Sequence, residues 1–201
     1  RIHFGSMTPR LSVPAAIALA LAALASPCTT TRPPAPVAAP TPVVAPDVRT
    51  VPERYVSDES AQDELDSLAT WTTEDGATWL IATAKSTHRL VVFDADTGKR
   101  LRDVGGEGAE AGRFDRPNGI AVHGDYAFVV ERDNHRVQVL SLPDFAPVGT
   151  FGSKELRSPY GLWLTETEPG ELEVYVTDSF MYGKKFDEVP PLAELDQRVR
   201  R

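Results

Sequence analysis

The chain has 201 residues, which is enough for one domain or two small ones. Its composition, 41% hydrophobic and 25% charged, is ordinary for a soluble globular protein. The formal net charge of −8 argues against a nucleic-acid-binding surface, because such a surface usually shows as a basic patch. An acidic protein is instead suited to divalent cations, which prefer carboxylate oxygens.

The amino-terminal segment has the layout of an export signal. Residues 1–6 precede Met7 and are interpreted as spurious upstream sequence. Residues 7–25 combine a short basic start, an apolar Ala/Leu run and small residues, which is typical of a secretory signal peptide. The apolar run is too short for a confident membrane span. We therefore expect an exported protein, periplasmic or extracellular, without a transmembrane span after signal cleavage.

Two cleavage patterns compete at the end of this signal. The triplet 23–25, Ala-Leu-Ala, fits ordinary secretion, whereas "LASPC" resembles a bacterial lipobox that would place a lipid on Cys28. Pro27 stands where a lipobox normally has a small residue, which favours ordinary export. Cys28 is the only cysteine, so no intramolecular disulfide can form.

Residues 26–56 are rich in Pro and Ala, a composition that cannot build a core and favours extended polyproline conformations. We interpret this segment as a disordered linker. The folded part is then 57–201.

Short β-rich runs separated by turns fill the folded part, and they repeat. Residues of matching type recur 47 positions apart in two successive units, namely Trp79 with Tyr126, His88 with His135, and Gly105 with Gly152. A third unit begins at "YGLWLTE" and "LEVYVTDSF". Four short strands in about 42–47 residues are typical of one β-propeller blade.

The sequence thus predicts an all-β fold, a β-propeller of four-stranded blades with about three blades present of a probable six. Three blades cannot close a ring, so we expect the chain to be the amino-terminal part of a larger domain. Open sheet edges would then favour self-association. His88 and His135 are predicted to lie in turns or inter-blade contacts, and Trp71, Trp79 and Trp163 in the blade cores.

Local motifs for common chemistries are absent from the sequence. No Ser/His/Asp spacing, P-loop, His-x-x-x-His pair or cysteine cluster occurs. The Gly-rich stretch 105–108 follows a strand with no helix after it, and is interpreted as a loop between blades.

Polar residues end several apolar strands. Lys85 ends "WLIATAK", and Asp178 ends "VYVTD". The strand "FVVERD" ends with Glu131, Arg132 and Asp133. Equivalent strand ends share one side of a propeller, so these side chains could converge. Lys and Arg suit a polyanion, and carboxylates suit Ca²⁺. The alternative for each residue is a solvated turn charge.

Six phrases together resemble the β-propeller phytases, especially their secreted bacterial branch: "DSLATW", "LIATAK", "LVVFDADTGKRL", "RPNGIAV", "FVVERDNHRVQV" and "SPYGLWL". The resemblance covers roughly 63–201, the amino-terminal half of a six-bladed domain. "RPNGIAV" and "DNHRVQV" also occur in NHL-repeat proteins, whereas the combination with "DSLATW" and "LIATAK" is more specific.

The resemblance implies a 3-phytase, which hydrolyses phosphate monoesters of phytate (myo-inositol hexakisphosphate) with Ca²⁺ and a metal-activated water. By its place in the motifs, Asp66 resembles a calcium ligand and Tyr160 the tyrosine near the metal cluster. Lys85 resembles the phosphate-binding lysine, and Arg132 is a looser match to the phosphate-contacting arginine. The strand-end carboxylates Glu131 and Asp178 are further candidate ligands.

The chain departs from the family pattern in two places. Asp66 is followed by Ser67 and Leu68, where Asp-Pro is common in the family. Ser179 and Phe180 stand where the phytases carry a Lys-Glu pair. The alternative function is a non-catalytic NHL-like propeller that binds a ligand or protein at the cell envelope. A six-bladed calcium lactonase is a third possibility, but its ligand pattern is not found.

Overall fold

The structure, a computed structural model, describes residues 48–179, 181–183, 185, 187–195 and 198–201. The upstream residues 1–6, the signal segment 7–25, Cys28 and the greater part of the predicted linker lie outside the described residues. Thr50–Arg201 form one compact unit. Among the described residues, no helix is both long and apolar enough to cross a membrane.

The described residues form three antiparallel sheets and two short 3₁₀ helices, Ala61–Asp63 and Leu192–Glu194. The strands follow chain order within the first two sheets, and the third sheet has the order β11-β10-β9. The first sheet contains β1 (Leu65–Thr72), β2 (Thr78–Ala84), β3 (Arg89–Asp94) and β4 (Arg100–Gly105). The second contains β5 (Pro117–His123), β6 (Tyr126–Glu131), β7 (Arg136–Ser141) and β8 (Ala146–Phe151). The third contains β9 (Pro159–Glu168), β10 (Glu171–Asp178) and β11 (Val199–Arg200).

Alternation of side chains along each strand gives every sheet two different faces. One face of the first sheet packs on the second sheet in a core that includes Ile81, Leu90, Phe114, Val129 and Leu140, all fully buried. The opposite face of the second sheet packs on the third through a second core. That core is formed by Phe128, Val130, Val137, Leu156 and Val176.

The sheets also contact one another through their first strands, because β1 contacts β5 and β5 contacts β9. Each sheet therefore meets the next in the same way. Over the residues that the structure describes, the predicted all-β fold of repeated antiparallel sheets is confirmed, whereas the propeller ring and its blade number stay predictions.

The 47-residue period reappears in the turns. His88 and His135 follow β2 and β6 and have positive φ angles of 52° and 55°. Each ring contacts the segment that leads into the next sheet: His88 Nδ1 lies 3.1 Å from the amide nitrogen of Arg116, and His135 Nδ1 contacts the carbonyl of Arg157. The prediction that both are turn and inter-sheet residues is confirmed.

The three tryptophans differ in burial. Trp71 lies in the core between the first two sheets, and Trp79 packs at its edge. Trp163 is 61% exposed, so its predicted place in a core is wrong. The physical reason is alternation: Leu162 and Leu164 face the second sheet, and Trp163 therefore lies on the outer face beside Tyr175, with ring centroids 5.8 Å apart.

Candidate functional site

One end of the sheets, which we call the junction end, is where β1, β5 and β9 begin and β2, β6 and β10 finish. At this end the first residue of each opening strand pairs with the last residue of the following strand: Leu65 with Ala84, Pro117 with Glu131, and Pro159 with Asp178. This common register makes the three sheets comparable residue by residue.

The register defines two rows of equivalent positions at the junction end. The second residues of the opening strands are Asp66, Asn118 and Tyr160. The residues that follow the second strands of the sheets are Lys85, Arg132 and Ser179. Glu131 and Asp178 are the last residues of β6 and β10. The six candidate site residues predicted from the sequence therefore all lie at the junction end: Asp66, Lys85, Glu131, Arg132, Tyr160 and Asp178.

Asp66 and Lys85 are the pair that the fold brings into contact. Lys85 Nζ lies 3.5 Å from Asp66 Oδ1, and the two side chains are 19% and 23% exposed, respectively. The backbone holds both strands in place, since the Ser67 N–H donates to Thr83 Oγ1 at 3.0 Å and the Lys85 N–H donates to the Glu64 carbonyl. A carboxylate is thus placed against a lysine at the start of the chain's first sheet.

Arg132 lies at the position equivalent to Lys85 in the second sheet. Its Nε donates to Asp133 Oδ1 at 2.5 Å, and its side chain is 14% exposed. Its backbone N–H donates to the carbonyl of Arg116, which leads into β5. The guanidinium is therefore positioned by its neighbour in the chain.

Glu131 is fully buried and accepts several internal hydrogen bonds. Arg136 Nε donates to it at 2.7 Å, Asn134 Nδ2 at 2.5 Å, Gln138 Nε2 at 3.1 Å and the Asp115 N–H at 3.0 Å. Burial raises the pKa of Glu131 above its ordinary 4.5 although these donors oppose the rise. Its oxygens join β6 to the preceding loop and are not directed to a ligand.

Asp178 has the corresponding role in the third sheet. It is 1% exposed and accepts the backbone N–H groups of Arg157 at 2.7 Å and Ser158 at 2.9 Å. Asp115 and Arg157 each stand two residues before the proline that opens β5 and β9, respectively. Glu131 and Asp178 therefore form hydrogen bonds to equivalent segments. Ser179, the next residue, exchanges a hydrogen bond with the Ser158 hydroxyl.

Tyr160 and Asn118 complete the first row. Tyr160 is 44% exposed, whereas Asn118 is fully buried. Both amide atoms of the Asn118 side chain lack a hydrogen-bond partner among the described residues, although its backbone carbonyl accepts the Thr83 hydroxyl at 2.6 Å. Sequence reasoning missed Asn118; the signal available was its place in "RPNGIAV", at the position where the first sheet carries Asp66.

The strands of this row approach closely. A Cβ added to Gly119 would lie 2.7 Å from the carbonyl oxygen of Tyr160, so only glycine permits this approach of β5 to β9.

Sequence reasoning also missed Asp63, which is a further buried carboxylate of the junction end beside Glu131 and Asp178. Asp63 is fully buried before β1 and is held by Arg100 at 2.7 Å, Arg89 at 3.2 Å, Thr87 at 2.6 Å and the Ser60 hydroxyl. Burial alone would raise the pKa of Asp63, but the hydrogen bonds from Ser60, Thr87 and Arg100 outweigh it and lower the pKa to about 2. The group stays ionised at any physiological pH.

These contacts decide how well the residues suit calcium. Ca²⁺ takes six to eight oxygen ligands. Asp66 and Tyr160 are accessible and could contribute, but Glu131 and Asp178 already accept internal hydrogen bonds and do not fit. Across the part of the chain that the structure describes, no three His, Cys, Asp or Glu side chains are grouped so as to hold a metal ion. The described residues therefore do not form a complete calcium site.

Cavities lie at several places on the sheets. Asp66 lines one of about 240 Å³ with the apolar side chains of Tyr55, Leu68, Leu80 and Phe93. A larger cavity, about 610 Å³, lies at the opposite end of the sheets, where Trp71 and Trp79 line it with acidic turn residues. Neither cavity contains Lys85 or Arg132 among its lining residues.

Comparisons with known proteins do not assign a family. No family model and no curated protein matches the chain. Among solved structures, the hydrazine synthase of Kuenenia stuttgartiensis is similar, with a TM-score of 0.45 and 18% identity. The matched region covers 66% of this chain and 33% of the hydrazine synthase chain. The computationally designed protein Ika4 is similar with a TM-score of 0.32 and 13% identity, over 62% of this chain and 98% of that chain. At these TM-scores neither similarity bears on function.

Proposed function

We propose that this chain is part of an exported six-bladed β-propeller enzyme that releases phosphate from phytate in a calcium-dependent reaction. The motif resemblance is one support. The observation that carries the proposal is the contact of Asp66 with Lys85, at 3.5 Å. These two residues belong to "DSLATW" and "LIATAK", the most specific motifs, and they meet at the junction end.

The roles assigned to the chain's own residues are binding roles. The Lys85 ammonium is a compact positive charge that can contact a substrate phosphate. Asp66 holds this ammonium at the strand end. The Arg132 guanidinium, which donates to Asp133 through Nε and Nη2, adds a second positive charge at this end.

Calcium, in this proposal, supplies the positive charge that an acidic protein needs to hold a highly anionic substrate and to activate water. Only Asp66 and Tyr160 of the described candidates have oxygens suited to it. Further ligands would have to come from other parts of the enzyme.

A non-catalytic propeller that binds a ligand or protein at the cell envelope is the second candidate. The observation in its favour is that Glu131 and Asp178 are buried and hydrogen-bonded internally. Carboxylates used in this way stabilise the junctions between sheets. They do not supply a reaction centre.

The test is phosphate release from phytate by the purified chain across a calcium titration, with a chelator as blank. The proposal predicts calcium-dependent release that Lys85→Ala abolishes and that Lys99→Ala, a change at an exposed lysine in the β3–β4 turn, leaves unchanged. A folded, β-rich sample that binds phytate without releasing phosphate would favour the binding module. Release that persists in Lys85→Ala would contradict the role given to this lysine.

A further inference from the structure

The first sheet has an apolar outer face that no other sheet covers among the described residues. Each sheet carries an equivalent apolar pair on its first two strands. These pairs are Leu68 with Ala82, Ile120 with Val129, and Leu162 with Val176. In the second and third sheets the pair packs in the core shared with the preceding sheet. In the first sheet Ala82 is buried but Leu68 is 56% exposed, so this face is only partly covered.

A cavity of about 240 Å³ marks the uncovered part of the face. Tyr55 covers the part near the β3–β4 turn, where its hydroxyl donates to the Ala95 carbonyl at 2.7 Å and its ring lies against Gly98. The other residues that line the cavity are Ser57, Leu65, Asp66, Leu68, Leu80 and Phe93. The volume is below the roughly 300 Å³ at which small-molecule sites begin, and it is close to the size of one large aromatic side chain.

The third sheet presents the complementary surface, because a large side chain protrudes from its outer face. The equivalent faces of the first two sheets receive the next sheet. Their paired residues at this position are Ala69 with Ile81, and Ala121 with Phe128. In the third sheet the pair is Trp163 with Tyr175, and an exposed indole stands where the other sheets have alanine. A face that is an interface elsewhere in the molecule therefore carries one protruding aromatic group.

We propose that two copies of this chain associate head to tail, with Trp163 of one copy inserted into the cavity at Leu68 of the other. An indole has a large apolar body and one N–H group, which usually finds an acceptor when it is buried. The cavity has mostly apolar walls, and the Asp66 carboxylate and the Ser57 hydroxyl are acceptors within it. Size and polarity of the cavity thus both match the indole.

The proposed contact continues the packing of sheet on sheet within the chain. A tryptophan already joins the first two sheets, since Trp71 Nε1 donates to Asp125 Oδ1 at 3.1 Å. Two copies that meet at both ends form two identical contacts, and three sheets from each copy complete the six sheets of the predicted ring. From strand spacing and rise, a three-stranded face measures roughly 280 Å², so two contacts bury about 1,100 Å² in all. That area exceeds the roughly 1,000 Å² that a specific interface needs. The inference rests on the predicted propeller and not on phytate hydrolysis.

The test is sedimentation velocity of the purified whole chain at concentrations from about 1 to 100 µM. Trp163→Ser removes the protruding indole, and Leu68→Arg places a charge in the cavity. Val148→Ser is the matched control, because Val148 is 58% exposed on β8, the last strand of the second sheet. Circular dichroism verifies that each variant is folded.

A two-copy species with a micromolar dissociation constant is expected. Trp163→Ser and Leu68→Arg should each raise that constant about thirtyfold or more, whereas Val148→Ser should change it less than about threefold. A single copy at about 100 µM, or an equal effect of Val148→Ser, would overturn the proposal. Association that is lost in Trp163→Ser but kept in Leu68→Arg would indicate contact between two third sheets and overturn the head-to-tail arrangement. Assemblies larger than two copies would overturn the closed pair.

Discussion

Replacing Asp63 by Asn should destabilise the fold in a way that depends on pH. Asp63 is fully buried before β1. Its oxygens accept hydrogen bonds from Arg100 and from two hydroxyl groups, and they form an ion pair with Arg89. Asn keeps the size of the side chain but removes the charge that both arginines face. The segment entering the first sheet then loses its ionic contact.

The magnitude follows from the pKa of Asp63. It falls from an ordinary 3.8 to about 2, because the hydrogen bonds outweigh the effect of burial. Since one pKa unit corresponds to about 1.4 kcal/mol, the ionised carboxylate contributes about 2.5 kcal/mol to the free energy of unfolding. A depressed carboxyl pKa stabilises the fold above the unfolded value. The contribution is therefore complete above about pH 5 and is lost as the pH falls from about 4 to 2.

Urea unfolding of the purified chain and of Asp63→Asn at several pH values measures this difference. We expect about 2.5 kcal/mol at pH 7 and less than about 1 kcal/mol at pH 2.5. Asp103→Asn is the matched control, because Asp103 contacts the same two arginines at 2.7 and 2.6 Å but its side chain is 37% exposed. It should cost under about 1 kcal/mol. A difference for Asp63→Asn that stays constant from pH 7 to pH 2.5 would refute this reasoning.

Three further predictions concern packing and junction contacts. Glu131→Leu should lower the free energy of unfolding by about 3 kcal/mol or more in urea unfolding, because it leaves the buried donors of Arg136 and its neighbours unpaired; a loss below 1 kcal/mol would contradict the structural role. Gly119→Ala should cost about 2 kcal/mol through the clash with the Tyr160 carbonyl, whereas Gly149→Ala, with no atom within 4 Å of the added Cβ, should be tolerated; equal thermal shifts would refute this. Trp163→Ser should reduce any self-association seen by light scattering, because this side chain is 61% exposed on the outer face of the third sheet; an unchanged oligomeric state in an associating sample would exclude that face.

Much of the fold could be predicted from the sequence because its signals are local and repeated. Short apolar runs in "TWLIATA" and "YAFVVE" predicted the strands, and the 47-residue period predicted the equivalence of His88 and His135. The positive φ angles at both histidines show that the repeat is one of backbone conformation as well as of residue type. Strand ends were also predictable, so the candidate residues could be assigned to one end of the sheets.

Only the tertiary structure decided which of the candidate residues already accept internal hydrogen bonds and which are accessible to a ligand. The sequence predicts Glu131 and Asp178 as possible metal ligands. In the structure they accept backbone hydrogen bonds from Asp115 and Arg157, which are 16 and 21 positions away in the chain, and no local pattern encodes these contacts. The burial of Asn118 and the exposure of Trp163 likewise depend on how each sheet packs on its neighbour.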